Sequence, residues 1–290
     1  MCREGNSWLK KRRFYFIPEK NLVFCHNCGY SKSSLKWIME ITGLSLNEIK
    51  NELNDVAIDL LEEKEEFKVF NHTLPKDCIN LFDSAQIEFY KNNNIVNKAL
   101  EFISKRKLDS AINRPVFYLS LTDKVHKNRL IIPFIDDNGK ILYYQSRTIL
   151  ETDKERPRYI SKINSEKTIF NFDRIDLNYD KIFVFEGPLN SCFVKNGVAI
   201  GGIQENSYQL FTTKQQEQIN RLPFHKRIWV LDSQWIDKAA FNKTRKLLEL
   251  KEKVFIWPEN LGKSYKDFND IAIKLNSGYI SPEFIIKHSR

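Results

Sequence analysis

The sequence contains no run of 18 apolar residues, which is about the shortest stretch that spans a bilayer as a helix. The opening residues 1–5, MCREG, are not followed by the apolar stretch that a secretory signal needs. These two absences exclude an integral membrane protein of the helical type. They predict an intracellular, cytoplasmic location with no membrane partner.

Cysteine is scarce as well, with five in 290 residues. In an intracellular chain this number argues against a disulfide framework. Cys25 and Cys28 have the spacing of a metal knuckle, and we favour zinc binding over two structural cysteines. Cys78 and Cys192 each stand alone in an amphipathic context, so they are expected to be buried apolar residues.

A phosphate-binding loop is also missing. Gly262, Lys263 and Ser264 resemble the end of such a loop, but the glycine that must precede them falls at Trp257. No internal repeat or low-complexity tract is present. The chain therefore carries no ATPase motor.

What the sequence has in excess is positive charge. Lysine and arginine number 46 against 37 acidic residues, a formal net charge of +9. A polyanion such as nucleic acid is the expected partner, although a basic surface without a specific partner is equally compatible with composition alone. The hydrophobic share of 42% is ordinary for a globular protein, and the length suits two domains with a small added module.

The segment 1–45 reads as one small module. It holds a strand at 14–16 and the knuckle Cys25–Cys28, followed by a helix that Gly43 interrupts. Four basic residues precede the strand: Lys10, Lys11, Arg12 and Arg13. Segment 46–110 is predicted to be a helical linker region that contains an acidic run at 62–66 and a helical stretch over 78–108.

Short strands and turns begin after that region. Residues 129–134 and 141–144 flank an Asn-Gly turn and predict a hairpin within a basic subdomain over 111–180. Segment 181–290 alternates strands with helices, which predicts a small parallel α/β sheet. The overall prediction is an α/β (α+β) protein.

Carboxylates follow the predicted parallel strands. Glu186 comes after the strand 181–185, and Asp232 comes after the strand 227–231. Asp267 and Asp270 follow a fourth strand at 254–257 by a short loop. Open α/β sheets place their sites at the carboxyl ends of strands, and oxygen ligands suit Mg²⁺ or Mn²⁺. A single such residue is more often a helix cap, but the convergence of three positions favours a metal site.

These segments resemble the TOPRIM domain of bacterial and phage DNA primases. The resemblance rests on Glu186-Gly-Pro-Leu-Asn-Ser, Val230-Leu-Asp232 and Lys266-Asp-Phe-Asn-Asp270. Upstream, Arg129-Leu-Ile-Ile-Pro-Phe134 and Arg158-Tyr-Ile160 are similar to the basic subdomain that precedes TOPRIM. The knuckle is similar to the primase zinc ribbon. The likeness covers nearly the whole chain and is greatest for the stand-alone primases of T-even-like phages.

The resemblance implies a nucleotidyltransferase that makes short RNA primers from NTPs on single-stranded DNA, as a primosome component beside a separate replicative helicase in the host cytoplasm. It implies magnesium at Glu186, Asp232, Asp267 and Asp270, and zinc at Cys2, Cys25 and Cys28. Contacts with nucleotide or template are implied for the following basic residues: Lys10, Lys11, Arg12, Arg13, Arg129, Arg147, Arg158, Lys162 and Lys266.

Two departures from the family pattern remain. The usual Asp-x-Asp motif is Asp232-Ser233-Gln234 here, and Gln234 is a neutral, weaker ligand. Asp237 is a substitute charge or, as we favour, a helix N-cap. The zinc set lacks a fourth ligand, which a sequence truncated at its start, His26 or a degenerate site would each explain; we favour truncation. The alternative functions are a catalytically weak template-binding accessory protein and a TOPRIM nuclease.

Overall fold

A computed structural model describes residues 14–18, 21–25, 30–52, 74–136, 138–150, 157–163, 165–202 and 211–290. These residues divide into two compact units. The first contains the described residues up to 52, together with 163 and 165, and the second contains the rest. Within the described ranges, no helix is both long and apolar enough to cross a membrane.

The first unit is built on a three-stranded antiparallel sheet in the order β1-β2-β3. Its elements are β1 (Phe14–Ile17), β2 (Leu22–Cys25), β3 (Ser31–Ser33), α1 (Ser34–Thr42) and α2 (Leu46–Glu52). Gly43 ends α1 in the left-handed region at φ 73°, which confirms the predicted interruption. The Phe14 ring packs 5.3 Å from that of Trp37, so α1 lies against the sheet.

The second unit contains a five-stranded antiparallel sheet in the order β4-β5-β6-β7-β8. The strands are β4 (Cys78–Asn80), β5 (Tyr118–Ser120), β6 (Arg129–Ile135), β7 (Ile141–Thr148) and β8 (Tyr159–Ser161). Strands β6 and β7 form the predicted hairpin. The helices α3 (Ser84–Phe89) and α4 (Asn94–Lys105) precede β5 in the chain.

The prediction of a helix throughout 78–108 was wrong at its start. Cys78 to Asn80 pair with β5, with Ile79 opposite Leu119. Burial along β4 alternates with the period of two that a strand requires, and Ile79 is its buried residue. Long-range sheet pairing thus overrides the local helical pattern.

A parallel three-stranded sheet in the order β10-β9-β11 completes the second unit. Its strands are β9 (Ile182–Phe185), β10 (Gly197–Ala199) and β11 (Arg227–Val230). Helices alternate with these strands and follow them: α5 (Pro188–Ser191) lies between β9 and β10, and α6 (Thr213–Asn220) lies between β10 and β11. After β11 come α7 (Lys238–Glu249), α8 (Glu259–Ser264), α9 (Phe268–Leu275) and α10 (Pro282–Lys287). The predicted fourth strand is reduced to isolated bridges, of which the parallel one joins Val254 to Trp229.

Both faces of the parallel sheet are buried. Phe183 and Phe185 of β9 point into one apolar cluster, whereas Ile182 and Val184 point into another. This two-sided burial explains why the strand reads as a continuous apolar run. Trp229 and Trp257 are fully buried, as predicted for core residues. The mixed α/β class predicted from the sequence is confirmed.

Candidate active site at the carboxyl edge of the parallel sheet

Glu186 stands at the tip of the central strand β9. Gly187 is the N-cap of α5 and Pro188 its first residue, so the chain turns sharply directly after the glutamate. The Glu186 carbonyl accepts a hydrogen bond from the Gly202 N–H at 2.9 Å. The Lys243 ammonium, which is nearly buried on α7, lies 3.8 Å from the Glu186 carboxylate.

Asp232 leaves the neighbouring strand at the same level. Phe185 pairs with Val230 in the sheet, so the residues after these two emerge side by side. The Asn190 amide of α5 donates to the Asp232 carboxylate at 3.4 Å. Two carboxylates from adjacent strands therefore lie at one edge, as the sequence predicted.

Asp267 and Asp270 belong to the start of α9. Asp267 is the N-cap of that helix, and its carboxylate accepts the Asp270 N–H at 3.0 Å. The Asp270 carboxylate accepts the Lys266 N–H, also at 3.0 Å. The Lys266 ammonium lies 3.8 Å from Asp232, which brings this segment to the same edge. Asp267 and Asp270 thus have capping roles in addition to their place at the site.

The carboxylates lie close enough to repel one another. Burial raises the pKa of Asp232 above its usual value, and the charges of Glu186 and Asp267 raise it further. Burial likewise raises the pKa of Asp267, with Asp270 adding to the rise. Lys266 opposes both shifts only partly. The protein's own cations at this edge therefore compensate the negative charge of the ionised carboxylates only in part.

That charge and its oxygen chemistry fit a hydrated divalent cation. Among the described residues, no three histidine, cysteine, aspartate or glutamate side chains stand close enough to coordinate one ion directly as they are. Mg²⁺ usually retains several waters and takes one or two protein carboxylates, so Glu186, Asp232 and Asp267 suit it with water completing the shell. A ligand shell made only of protein atoms does not fit.

The Gln234 side chain is directed elsewhere. Its amide nitrogen donates to the Trp257 carbonyl at 3.2 Å, and its amide oxygen accepts the Trp257 N–H at 3.4 Å. Both polar atoms of Gln234 are thus bound to backbone, and its role as a weak ligand stays a prediction. Asp237 is the N-cap of α7, as favoured from the sequence, and its carboxylate lies 3.8 Å from the Lys266 ammonium.

Arg129 is fully buried in the five-stranded sheet. Its guanidinium donates to the Ser146 hydroxyl at 3.0 Å and to the carbonyls of Pro157 and Arg158 at 2.7 and 2.8 Å. These bonds fix the start of β8 against β7. The contact with phosphates that the sequence predicts for Arg129 stays a prediction, and its described bonds serve to hold the scaffold.

Arg147 and Arg106 flank a shared aromatic ring. The guanidinium of Arg147 lies 5.4 Å from the ring centre of Phe102, and that of Arg106 lies 4.9 Å from it. Burial lowers the pKa of Arg106, and repulsion from Arg147 lowers it further, whereas Asp267 raises it. Arg106 therefore lies near Asp267 of the carboxylate edge, and Arg147 lies beside Arg106.

Arg106 is a candidate that the sequence reading missed, because its segment was interpreted as a linker. The signal was present in the basic run 105–107, which lies at the end of the amphipathic helix α4. Arg106 follows Phe102 by four residues, a spacing that stacks side chains on one helix face. A guanidinium over a ring is common at sites that bind phosphate.

The other predicted basic residues differ in exposure. Arg158 is exposed, and the Lys266 side chain is about half exposed. Lys162 is buried with its ammonium 5.7 Å from the Tyr144 ring centre, and burial lowers its pKa. Burial thus disfavours the charged form of the Lys162 side chain.

The predicted zinc site falls mostly outside the described residues. Cys2, Cys28 and the basic residues at 10–13 are not among them. Cys25 is buried at the end of β2, and its N–H donates to the Tyr30 carbonyl at 2.8 Å. The zinc ribbon stays a prediction.

The chain was compared with known sequences and solved structures. The chain is 27% identical over 315 residues to the DNA primase of Enterobacteria phage T4, a match that covers 100% of this chain and 83% of that protein. No protein-family model matches.

Among solved structures, the chain is similar to the primase fragment of the bacteriophage T7 primase-helicase protein, at 13% identity and a TM-score of 0.42. That match covers 92% of this chain and 90% of the other. It is also similar to the Aquifex aeolicus primase with its zinc-binding and RNA polymerase domains, at 20% identity and a TM-score of 0.38, over 91% of this chain and 73% of the other.

The parallel sheet with carboxylates at its edge is the α/β arrangement that the sequence predicted. The match over the whole of this chain shows that it is related to the DNA primase of phage T4.

Proposed function

We propose that this protein is a DNA-dependent RNA primase, a nucleotidyltransferase that synthesises short RNA primers on single-stranded DNA during replication. The observation that carries the proposal is the convergence of Glu186, Asp232 and Asp267 at one sheet edge beside the cations Arg106 and Arg147. The similarity to the T4 primase over the whole chain supports it.

Nucleotidyl transfer depends mainly on positioning and on neutralising charge that develops on phosphate. In the proposal, Asp232 and Asp267 hold one or more divalent cations, and Glu186 completes the hydrated shell. Mg²⁺ or Mn²⁺ held by these carboxylates would supply positive charge for the nucleotide phosphates and would make the attacking 3′-hydroxyl easier to deprotonate. Asp270 orders the loop that carries Asp267 through its bond to the Lys266 N–H.

The cationic residues complete the arrangement. Arg106 and Arg147 are held over Phe102, so their guanidinium groups lose little freedom when they bind a phosphate. Exposed Arg158 and half-exposed Lys266 are proposed as further contacts with NTP phosphates or template. Arg129 and Lys162 are proposed to face the nucleotide phosphates or template as well, although both side chains are buried. The bonds of Arg129 to Ser146, Pro157 and Arg158 also fix the start of β8.

The first unit is proposed to select the template. In this proposal Cys2, Cys25 and Cys28 bind zinc, and Lys10, Lys11, Arg12 and Arg13 contact DNA phosphates. The proposed organisation is a ribbon at 1–45, a helical region at 46–110, a basic subdomain at 111–180 and a TOPRIM domain at 181–290. A separate replicative helicase is the proposed protein partner, and host cytoplasm the proposed location.

Primer synthesis from labelled NTPs on single-stranded DNA tests the proposal directly. We would compare the wild type with Glu186→Gln and with Glu249→Gln, which removes an exposed glutamate on α7. We expect metal-dependent RNA products from the wild type and the control. Glu186→Gln should lose activity on the order of 100-fold, because a neutral amide ligates a cation poorly.

Binding of labelled single-stranded DNA should stay within about twofold in both variants, since the glutamate faces metal and not template. DNA binding without RNA products under any metal would refute the primase and leave the template-binding accessory protein. Cleavage of the DNA would instead indicate the TOPRIM nuclease.

A further inference from the structure

Trp235 is exposed although the tryptophans around it are buried. It retains 46% of its accessible surface, whereas Trp229 and Trp257 retain 1% each. Trp235 lies three residues after Asp232, in the loop that leaves β11 at the carboxylate edge. Its exposure leaves a large aromatic face open to solvent beside a charged site.

The indole is held rigidly. Its Nε1–H donates to the Trp257 carbonyl at 2.9 Å, and its backbone N–H donates to the Ser233 hydroxyl at 3.3 Å. The Ser233 hydroxyl donates in turn to the Gly262 carbonyl at 2.6 Å. Ser233 is fully buried, so this network anchors the loop to α8.

Gly262 makes room for the ring. A Cβ at that position would lie 2.3 Å from Trp235 Cδ1 and 2.9 Å from the Ser233 hydroxyl. A residue with a side chain would therefore displace the indole. Gln234 exchanges two hydrogen bonds with the backbone of Trp257, and these also hold the loop in place. Gln234, which stands where the family pattern has a second aspartate, thus supports the loop that carries Trp235.

Lysines lie in and beside this loop. The Lys263 ammonium lies 5.6 Å from the Trp235 ring centre and 2.6 Å from the Glu259 carboxylate. Lys266 is half exposed and lies 3.8 Å from Asp232 and Asp237, and Lys238 is exposed at the start of α7. An aromatic ring among lysines is the combination that binds single-stranded nucleic acid, in which bases stack and phosphates pair with cations. The indole N–H is already bound to backbone, so the ring offers a π surface and no base-reading donor.

We propose that Trp235 is a stacking platform for a base of the single-stranded DNA template, next to the carboxylates of the reaction site. The proposal rests on the primase function and names a residue that positions the template for it. Because every base has a π face, Trp235 contributes affinity without sequence preference.

The test compares Trp235→Phe with Trp235→Leu. Both variants lose the Nε1–H bond and keep apolar bulk, so they differ mainly in the aromatic face. Tyr279→Leu is the control, because Tyr279 is equally exposed at 45% in the loop between α9 and α10. Thermal midpoints would be measured for each variant to establish that it folds.

Binding would be measured by fluorescence anisotropy with a dye-labelled thymidine oligonucleotide and with a fully abasic oligonucleotide of the same length and charge. We expect Trp235→Leu to weaken binding to the thymidine strand roughly tenfold and Trp235→Phe to weaken it only slightly. Neither should change binding to the abasic strand. The Tyr279→Leu control should match the wild type on both.

Three results would overturn the proposal. Equal affinity of Trp235→Leu and the wild type for the thymidine strand removes the stacking contact. An equal loss on both strands shows that phosphate contacts, not bases, are affected. A raised KM for NTPs with unchanged DNA affinity assigns the ring to the incoming nucleotide. A wild type that binds as expected but makes no RNA would overturn the primase function and leave the stacking contact standing.

Discussion

Arg106 and Asn269 exchange two hydrogen bonds although 163 positions separate them in the sequence. The Arg106 guanidinium donates to the Asn269 side-chain oxygen at 2.5 Å, and the Asn269 amide donates to the Arg106 carbonyl at 2.8 Å. The Asn269 N–H also donates to the Asn190 side chain, which contacts Asp232. The end of α4 and the carboxylate edge are therefore parts of one bonded network.

Removing Asn269 should break this network. Asn269→Ala deletes both bonds and leaves the guanidinium and the carbonyl of Arg106 without the buried Asn269 side chain. We therefore expect the free energy of unfolding to fall by about 2 kcal/mol. Urea denaturation measures the change. Asn260→Ala on the exposed face of α8 is the control and should fall within ~0.5 kcal/mol of the wild type. If Asn269→Ala and Asn260→Ala were equally stable, the hydrogen bonds of Asn269 would not contribute to stability as we expect.

Asp232→Asn should stabilise the metal-free fold while it abolishes synthesis. Burial, Glu186 and Asp267 all disfavour the Asp232 anion, so a neutral side chain of the same shape relieves the repulsion. In the presence of a metal chelator at pH 8, we expect the variant to have a higher thermal midpoint than the wild type. The expected gain in the free energy of unfolding is about 1 kcal/mol. Asp180→Asn, at an exposed ion pair, should leave it unchanged. A lower midpoint for Asp232→Asn would show that the carboxylate is not strained.

Gly278→Ala should be strongly destabilising for a purely steric reason. A Cβ there would lie 2.0 Å from the Ser110 carbonyl oxygen, and backbone cannot move aside as a flexible side chain can. We expect a loss of about 3 kcal/mol in chemical denaturation. Gly187→Ala is the matched comparison, because its Cβ would meet only the Asn190 side chain at 3.4 Å. A loss in Gly278→Ala no larger than in Gly187→Ala would disprove the close approach.

Asp77 predicts a pH dependence of stability. Burial raises the pKa of its carboxyl, but hydrogen bonds from Thr122, Ser120 and Leu121 outweigh burial, and the pKa is lowered overall. A lowered folded-state pKa contributes stability that is present above the unfolded value near 4 and is lost as the pH falls through the folded value.

Urea denaturation between pH 3 and 7 measures this contribution. We expect Asp77→Asn to be less stable than the wild type at pH 7 by about 1–3 kcal/mol. The difference should shrink as the pH falls below the unfolded value near 4, because the lowered folded pKa means that the stabilising carboxylate is lost only as the pH falls through it. Asp109→Asn is the exposed control. A difference from the wild type that does not change with pH would exclude the carboxylate charge as its cause.

Cys25→Ser tests the zinc ribbon. We expect the wild type to contain about one equivalent of zinc by mass spectrometry of the metal, and the variant to contain none, with altered template choice. The second unit should keep its thermal transition. Cys78→Ser, in β4, should retain zinc. A zinc-free wild type that folds and selects templates normally would remove the ribbon from the proposal.

The parallel sheet and its carboxylates were predictable because the information is local. An apolar run followed by Glu186-Gly-Pro specifies a buried strand, a turn and a helix start within a few residues. The adjacency of Glu186 and Asp232 follows from parallel pairing. An apolar run followed by turn residues therefore predicts where a strand ends.

Features that depend on distant partners were not predictable. The orientation of Gln234 is decided by the backbone of Trp257, and the role of Arg106 by Asn269. Cys78 joins a sheet only because β5 lies beside it. In each case a local pattern left several options open, and a contact far along the chain selects one of them.

The central position of β9 determines how the carboxylate edge should respond to denaturant. The strand is hydrogen-bonded on both edges and buried on both faces, so its amide protons should exchange with solvent through global opening of the second unit rather than through fraying. Glu186 continues this strand directly. Mild denaturant should therefore leave the carboxylate edge intact until the whole unit melts, and inactivation and unfolding should follow a single curve.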